Sequence, residues 1–410
     1  MPDAKYDAVV VGGGHQGTII ACYLQRAGLK TAIFERWHEM GGGACGEELP
    51  LPGFIQNVCA HFTRFYAHPA YMDFNLRDYG LVYVFPEYDE AWIFPDGRYI
   101  LGKAIYEVVD PVTGRSEFSE ENAIQALTSG GKRPMEELCD DPKNGIDPKY
   151  ARMTVGEIAT DLFESPEMQT FYMRAMQTSN GLMPHDVPGL YWHIHVLGLV
   201  LSLEAAAIVY GGTHTITHAL LRAFEAEGGE FFVLSEVERI LVENGVAKGI
   251  RLRDGTEIAA DLVVSDLSVE LTLEVLGEDH VPRDLWEKSQ RLKQPKDLKE
   301  TGYERTQLFW GNIALYEPPK YTAHPDLGMV PRLYMGEADP EYFLSGRYQR
   351  ERWEKGIPDK LYLLVAPDSQ WDPTRAPKGR FTAVAEVFTC PWRNFSEREW
   401  LRMKREIVGR

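Results

Sequence analysis

From Tyr6 to Val11 the chain reads YDAVVV, a β-branched apolar run with few polar positions. That is the pattern of a strand covered on both faces, as in the middle of a parallel sheet. The periodicity then changes. Over residues 15–28, Ile19, Ile20, Tyr23, Leu24 and Ala27 recur at helical spacing, and Gly28 closes the helix. A second short apolar strand, Thr31 to Phe34, ends at Glu35. A strand, a helix and a strand in so few residues predict a βαβ unit.

The same grammar returns later. Residues 214–227 have helical character and lead through Gly228-Gly229 into a strand, FFVL. Two alternating segments, EVERILVE and AKGIRLR, flank Asn244-Gly245, a hairpin signal, and another turn sits at Asp254-Gly255. The apolar strand DLVVS follows. Leu190 to Tyr210 is long enough to cross a bilayer by count alone, but it carries His193, His195 and Glu204, which are costly in hydrocarbon. It reads as buried structure lining a cavity, or at most as a membrane-touching surface.

Length and composition narrow the function classes. At 410 residues two domains are expected, and 44% hydrophobic with 25% charged residues is ordinary for a globular protein. A net charge of −18 argues against nucleic acid, whose binding needs clustered Lys and Arg. Five widely spaced cysteines without Cys-x-x-Cys suggest neither a disulfide framework nor a zinc ribbon, and reduced thiols fit a cytoplasmic protein. No signal-peptide pattern precedes the first strand.

The chemistry starts where the first strand meets its helix. In GGGHQG, Gly12, Gly14 and Gly17 satisfy G-x-G-x-x-G. Gly12 permits the tight turn, Gly14 lets backbone approach a pyrophosphate, and Gly17 lets the helix pack close to the strand. The helix N-terminus then offers free N–H groups and partial positive charge to the phosphates. Glu35 lies 21 residues beyond Gly14, at the end of the second strand, placed to accept bonds from ribose hydroxyls. Dinucleotide binding follows. After Glu35 the chain does not continue into further βα units, but runs through Gly41 and Gly42, a pair that would let another loop approach the cofactor, toward Pro52-Gly53-Phe54.

Together the G-x-G-x-x-G turn, the glycine pair after Glu35 and the 211–265 block resemble the phytoene desaturase–retinol saturase group of FAD-dependent oxidoreductases, within the wider amine-oxidase-like superfamily. The resemblance covers residues 6–60 and 205–268 well and the rest loosely. It implies an α/β fold: a Rossmann-like FAD-binding domain (parallel sheet plus β-meander, 1–60 and 205–268) with an inserted α+β substrate domain (61–204 and 269–395). It implies FAD, with Gly12, Gly14 and Gly17 at the pyrophosphate, Glu35 at the AMP ribose, and Arg36, Gly41 and Gly42 lining the cofactor. Val237 would offer backbone contacts to adenine, or be an ordinary core strand residue.

The family continues with another glycine-rich loop against the flavin. Residues 381–410 hold none; FTAVAEVFTC reads as a substrate-domain strand, and 396–410 as the helix leading toward that segment. A truncated gene, a cleaved chain and a second polypeptide are the explanations. The last, a hetero-oligomer, is the expectation favoured here.

Within the substrate region Trp92, Phe171, Tyr172, Tyr191, Trp192, Phe309, Trp310 and Trp371 would line an apolar pocket or simply fill a core. His214 and His218 share a helix face, but HTITH lacks the Glu of a zinc helix and a third ligand, so no metal is expected. His61 is the first candidate for catalysis, because the family places its segment beside the flavin; Glu48 and Glu204 follow. For each, the alternative is a capped or paired polar group. The expected reaction is hydride transfer between an apolar, cyclic or isoprenoid-like substrate C–H and flavin N5, making or reducing a C=C bond. The alternatives are an FAD-dependent amine oxidase and a non-catalytic escort protein for prenyl lipids. A yellow preparation would separate enzyme from escort.

Overall fold

The structure, a computed structural model, describes residues 5–61, 63–103, 108–109, 116–117, 148–187, 207–293, 307–389 and 394–409. His193, His195 and Glu204, with Tyr191 and Trp192, lie outside the described residues.

The chain forms two compact units. The first comprises Met1–Val84, Ile208–Pro295 and Trp371–Pro377. It opens with β1 (Lys5–Val11), α1 (His15–Arg26) and β2 (Thr31–Phe34). A small hairpin, β3 (Gly46–Glu48) and β4 (Ile55–Asn57), follows. The chain later adds α2 (His214–Ala226), β5 (Glu230–Phe232), β6 (Val237–Glu243), β7 (Val246–Leu252), β8 (Glu257–Ser265) and α3 (Val269–Leu276).

These strands make one six-stranded sheet in the order β5-β2-β1-β8-β7-β6. β5, β2, β1 and β8 run parallel, and β8, β7 and β6 form the antiparallel meander. This is an α/β Rossmann-like sheet with a meander, as the pattern implied. β1 earns its central place: Ala8, Val9 and Val10 have no exposure at all. Tyr6, Val9 and Val11 share a cluster with Phe34, Ile250 and Leu252. Asn244 (φ 51) and Gly245 (φ 78) make the tight β6–β7 turn in the left-handed conformation that such a hairpin requires.

Two details depart from the pattern. The strand after Gly229 stops at Phe232 instead of running to Leu234, because Leu234 turns to φ 52 and bonds back to Trp37 O. β8 begins at Glu257, four residues before the apolar DLVVS run, since antiparallel pairing to β7 extends it back through Glu257–Ala260.

The second unit comprises Phe85–Ala207, Lys296–Gln370 and Lys378–Arg410. Its six-stranded mixed sheet runs, in spatial order, Gln307–Leu315, Phe381–Thr389, Leu363–Ala366, Arg332–Met335, Tyr88–Ile93 and Tyr99–Lys103. Helices Val155–Leu162 and Pro166–Asn180 contribute Ile158, Tyr172 and Met173 to a core with Trp92, Tyr334 and Tyr362. Helix Glu397–Gly409 inserts Met403 and Ile407 beside Val387.

The unit boundaries differ from those read in the sequence at 60/61 and 268/269. Tyr83–Val84 pairs with Ile208–Val209, which holds the chain to Val84 in the first unit. α3 packs on β6, and Arg375 donates from Nε to Ile55 O at 2.8 Å, so residues beyond 268 and the short 371–377 segment join it too. Helix Glu397–Gly409 belongs to the second unit and puts Met403 and Ile407 into its core. Trp92, Phe171, Tyr172 and Trp310 pack in or against the aromatic core, Phe309 packs beside Met403, and Trp371 lies in the first unit.

Candidate functional site: a cavity at the glycine-rich turn

In open α/β sheets, ligands bind beyond the carboxyl ends of the strands where the winding changes direction. Here that point is β1, flanked by β2 on one side and β8 on the other. A cavity of about 650 Å³ opens there, lined by Val11, Gly12, Gly14, His15, Phe34, Glu35, Arg36, Gly42, Gly43, Val237, Arg253 and Asp266, among others. That is an ordinary volume for a cofactor site.

The glycines have separable reasons. Gly12 turns the chain at φ 98. At Gly17 a Cβ would stand 2.6 Å from Gly12 O, so a side chain there would force α1 off β1. A second loop closes over the first. Gly41 N donates to Gly13 O at 2.8 Å, and a Cβ on Gly42 would lie 3.1 Å from Gly14 Cα. Thus Gly41 and Gly42 serve close backbone approach, and Gly42 also faces the cavity.

Glu35 is partly buried at the end of β2. Its Oε2 accepts from Gly13 N and its Oε1 from Trp37 N, both at 2.8 Å, which fixes the carboxylate at the cavity wall with lone pairs to spare. Arg36 beside it is exposed. Val237 is buried in the sheet core and also lines the cavity.

α1 starts without help from its own capping residue: Gly14 has no side chain, and no acid occupies the first turn. The acid instead comes from much later in the sequence. Asp266 follows β8, its N–H donating to Val11 O at 2.8 Å. A Cβ on Gly14 would lie 2.3 Å from Asp266 Oδ2, and one on Gly17 would lie 2.8 Å from Asp266 Cβ. Burial pushes the Asp266 carboxyl above the usual range, while the Gly17 amide, His15 and the Gly14 amide pull the other way. Sequence reading placed Gly14 against a pyrophosphate and missed this acid, because nothing local to DLVVSD signals that its aspartate reaches the first turn.

The candidate catalytic residues are spread out. His61 is 4% exposed and buried in the first unit. Glu48 sits on the β3–β4 hairpin, opposite Ile55, and is exposed. Neither lines the cavity. Glu204 lies outside the described residues. The His214 and His218 rings meet edge to face with centroids 5.0 Å apart, and His218 Nε2 is 3.2 Å from Glu39 Oε1. No group of three or more metal-ligating side chains gathers among the described residues. Beside His214 a polar cluster appears that no sequence signal announced: buried Asp372 accepts from Gly211 N at 2.7 Å, and Asn57 Oδ1 accepts from Thr213 N at 3.0 Å.

Residues 10–74 match the NAD(P)-binding Rossmann-like domain family. The chain is 26% identical to rat pyridine nucleotide-disulfide oxidoreductase domain-containing protein 2, over 94% of this chain and 73% of that protein. It is 26% identical to the neurosporene-forming phytoene desaturase of Rhodobacter capsulatus, over 91% and 70%. The chain is an FAD/NAD(P)-type Rossmann protein related to the phytoene desaturases. Its fold is also that of amine oxidases: a redesigned putrescine oxidase superposes with a TM-score of 0.57 at 12% identity, covering 95% of this chain and 76% of that one. No helix among the described residues is long and apolar enough to cross a membrane.

Proposed function

We propose that the chain is an FAD-dependent oxidoreductase acting on an apolar, cyclic or isoprenoid-like substrate, forming or reducing a C=C bond. The observation that carries the reading is the cavity where β1 turns into α1, with Glu35 anchored at its wall. The residues present suit a dinucleotide. Gly12 and Gly14 line the cavity with backbone, Glu35 offers acceptors for a ribose, and Arg36 and Arg253 also line it. Val237 offers strand backbone to the adenine. FAD bound there would supply the two-electron chemistry, accepting or giving a hydride at its N5.

The chain's own part is to hold, orient and exclude water. His61 is assigned the accompanying proton: it is buried in the same unit as the cavity, whereas Glu48 is open to solvent. The phytoene desaturase relationship supports an isoprenoid substrate over an amine.

The test begins with colour. A yellow protein that releases FAD on denaturation supports the reading, and a colourless one supports the escort alternative. Anaerobic mixing with a panel of cyclic and linear isoprenoid alkenes and their saturated counterparts should then bleach the flavin. Bleaching by amines alone would overturn the substrate class.

A further inference from the structure

Asp266 stands where two demands meet. Its carboxyl lies against the Gly14 and Gly17 amides, on the same backbone that a diphosphate approaching the α1 N-terminus would use. It also lines the cavity. The contact is a product of topology: β8 pairs with β1 in parallel up to Val11–Ser265, so the next residue of each strand falls side by side.

We propose that Asp266 gates dinucleotide binding: its carboxylate and the cofactor's diphosphate compete for the Gly14–Gly17 amides, and the acid must take up a proton for the diphosphate to seat. This rests on the dinucleotide reading of the cavity. Like charges so close to one another are strongly unfavourable in a half-buried site. The surroundings sharpen the conflict. The acid feels His15 of α1 and Glu35, which follows β2, and the same cavity is lined by Arg36, Glu236, Glu238, Arg253 and Glu274. Arg253 is already engaged by Glu236. Burial, moreover, raises the carboxyl's pKa.

Cofactor affinity therefore falls as pH rises. A single linked proton changes the apparent Kd by at most about tenfold per pH unit above the carboxyl's pKa. His15 also lines the cavity and acts on the Asp266 carboxyl, so the variants must separate the two.

Quenching of flavin fluorescence by the full chain, titrated with FAD between pH 5.5 and 8.5 at constant ionic strength, reads the effect. Wild type should weaken by about three- to tenfold per unit over part of this range. Asp266→Asn should bind about tenfold more tightly at the alkaline end and lose most of the slope. His15→Asn should keep it. Asp266→Ala, read beside a thermal melt of each variant, guards against an effect of amide hydrogen bonding. A wild-type Kd flat in pH overturns the gate; so does Asp266→Asn with an unchanged slope, a slope abolished only by His15→Asn, or weaker binding by both Asp266 variants. No binding by wild type at any pH would instead sink the dinucleotide reading itself.

Discussion

Substituting Gly17 by alanine should damage both stability and cofactor binding, and a second glycine shows why. The new Cβ would stand 2.6 Å from Gly12 O and 2.8 Å from Asp266 Cβ. The first of these is backbone, which no rotamer change relieves. Overpacking of this kind costs about 1–3 kcal/mol. Alanine returns about 1 kcal/mol through helix propensity. A net loss near the upper end, about 2 kcal/mol, follows because α1 must lift from β1 as a body. For a unit of this size that is about 4–8 °C in Tm.

The lift also moves the Gly14 and His15 amides, so FAD affinity should fall at least about tenfold. Gly28→Ala is the control. Gly28 has φ 89 with nothing within 4 Å of its would-be Cβ, so it should pay only backbone strain, about 1–2 kcal/mol, and keep wild-type FAD affinity. Differential scanning fluorimetry and flavin-fluorescence titration read both quantities. If Gly17→Ala melts and binds like wild type, the claim that the helix–strand contact positions the amides is refuted.

Other outcomes follow from single contacts. Thr154 accepts from Glu157 N and Glu157 reaches back to Thr154 N, a reciprocal cap; Thr154→Ala should cost about 1 kcal/mol in a urea melt. Arg174 and Glu386 pair at 3.5 Å with almost no exposure, and Arg174 also lies 4.6 Å over the Phe388 ring; Arg174→Ala should cost about 3–5 kcal/mol by stranding the acid. His214 is held down to about 4 by burial, then by His218 and Arg375. The unfolded chain takes up that proton first, at its ordinary value near 6.5. The contribution is whole above about pH 6.5 and is lost as pH falls toward 4, and a His214→Gln variant should show a flatter stability profile there. Glu35→Gln weakens the acceptor held by Gly13 N and Trp37 N and should raise the Kd for ADP by about tenfold, measured by calorimetry.

The first forty-two residues could be read nearly in full from their pattern. β1, α1 and β2 are formed by neighbours along the chain, and the glycines mark turns whose demands are local. Helix α2 and the β6–β7 hairpin were readable for the same reason, through helical spacing and Asn244-Gly245. The boundaries of the units were not. Tyr83–Val84 belongs with the first unit only because Ile208–Val209 pairs with it, and 371–377 only because Arg375 reaches Ile55. Such contacts span more than a hundred residues and leave no periodic trace.

Asp266 draws the same line through the site. Residues 12–17 predict backbone amides turned toward an anion, since that follows from glycine spacing and helix direction. Which side chain shares those amides depends on β8 lying parallel to β1 in one register, more than two hundred residues later. A shift of one residue would turn a different side chain toward the turn. Local order comes from residues in sequence; the occupant of the cradle comes from strand pairing.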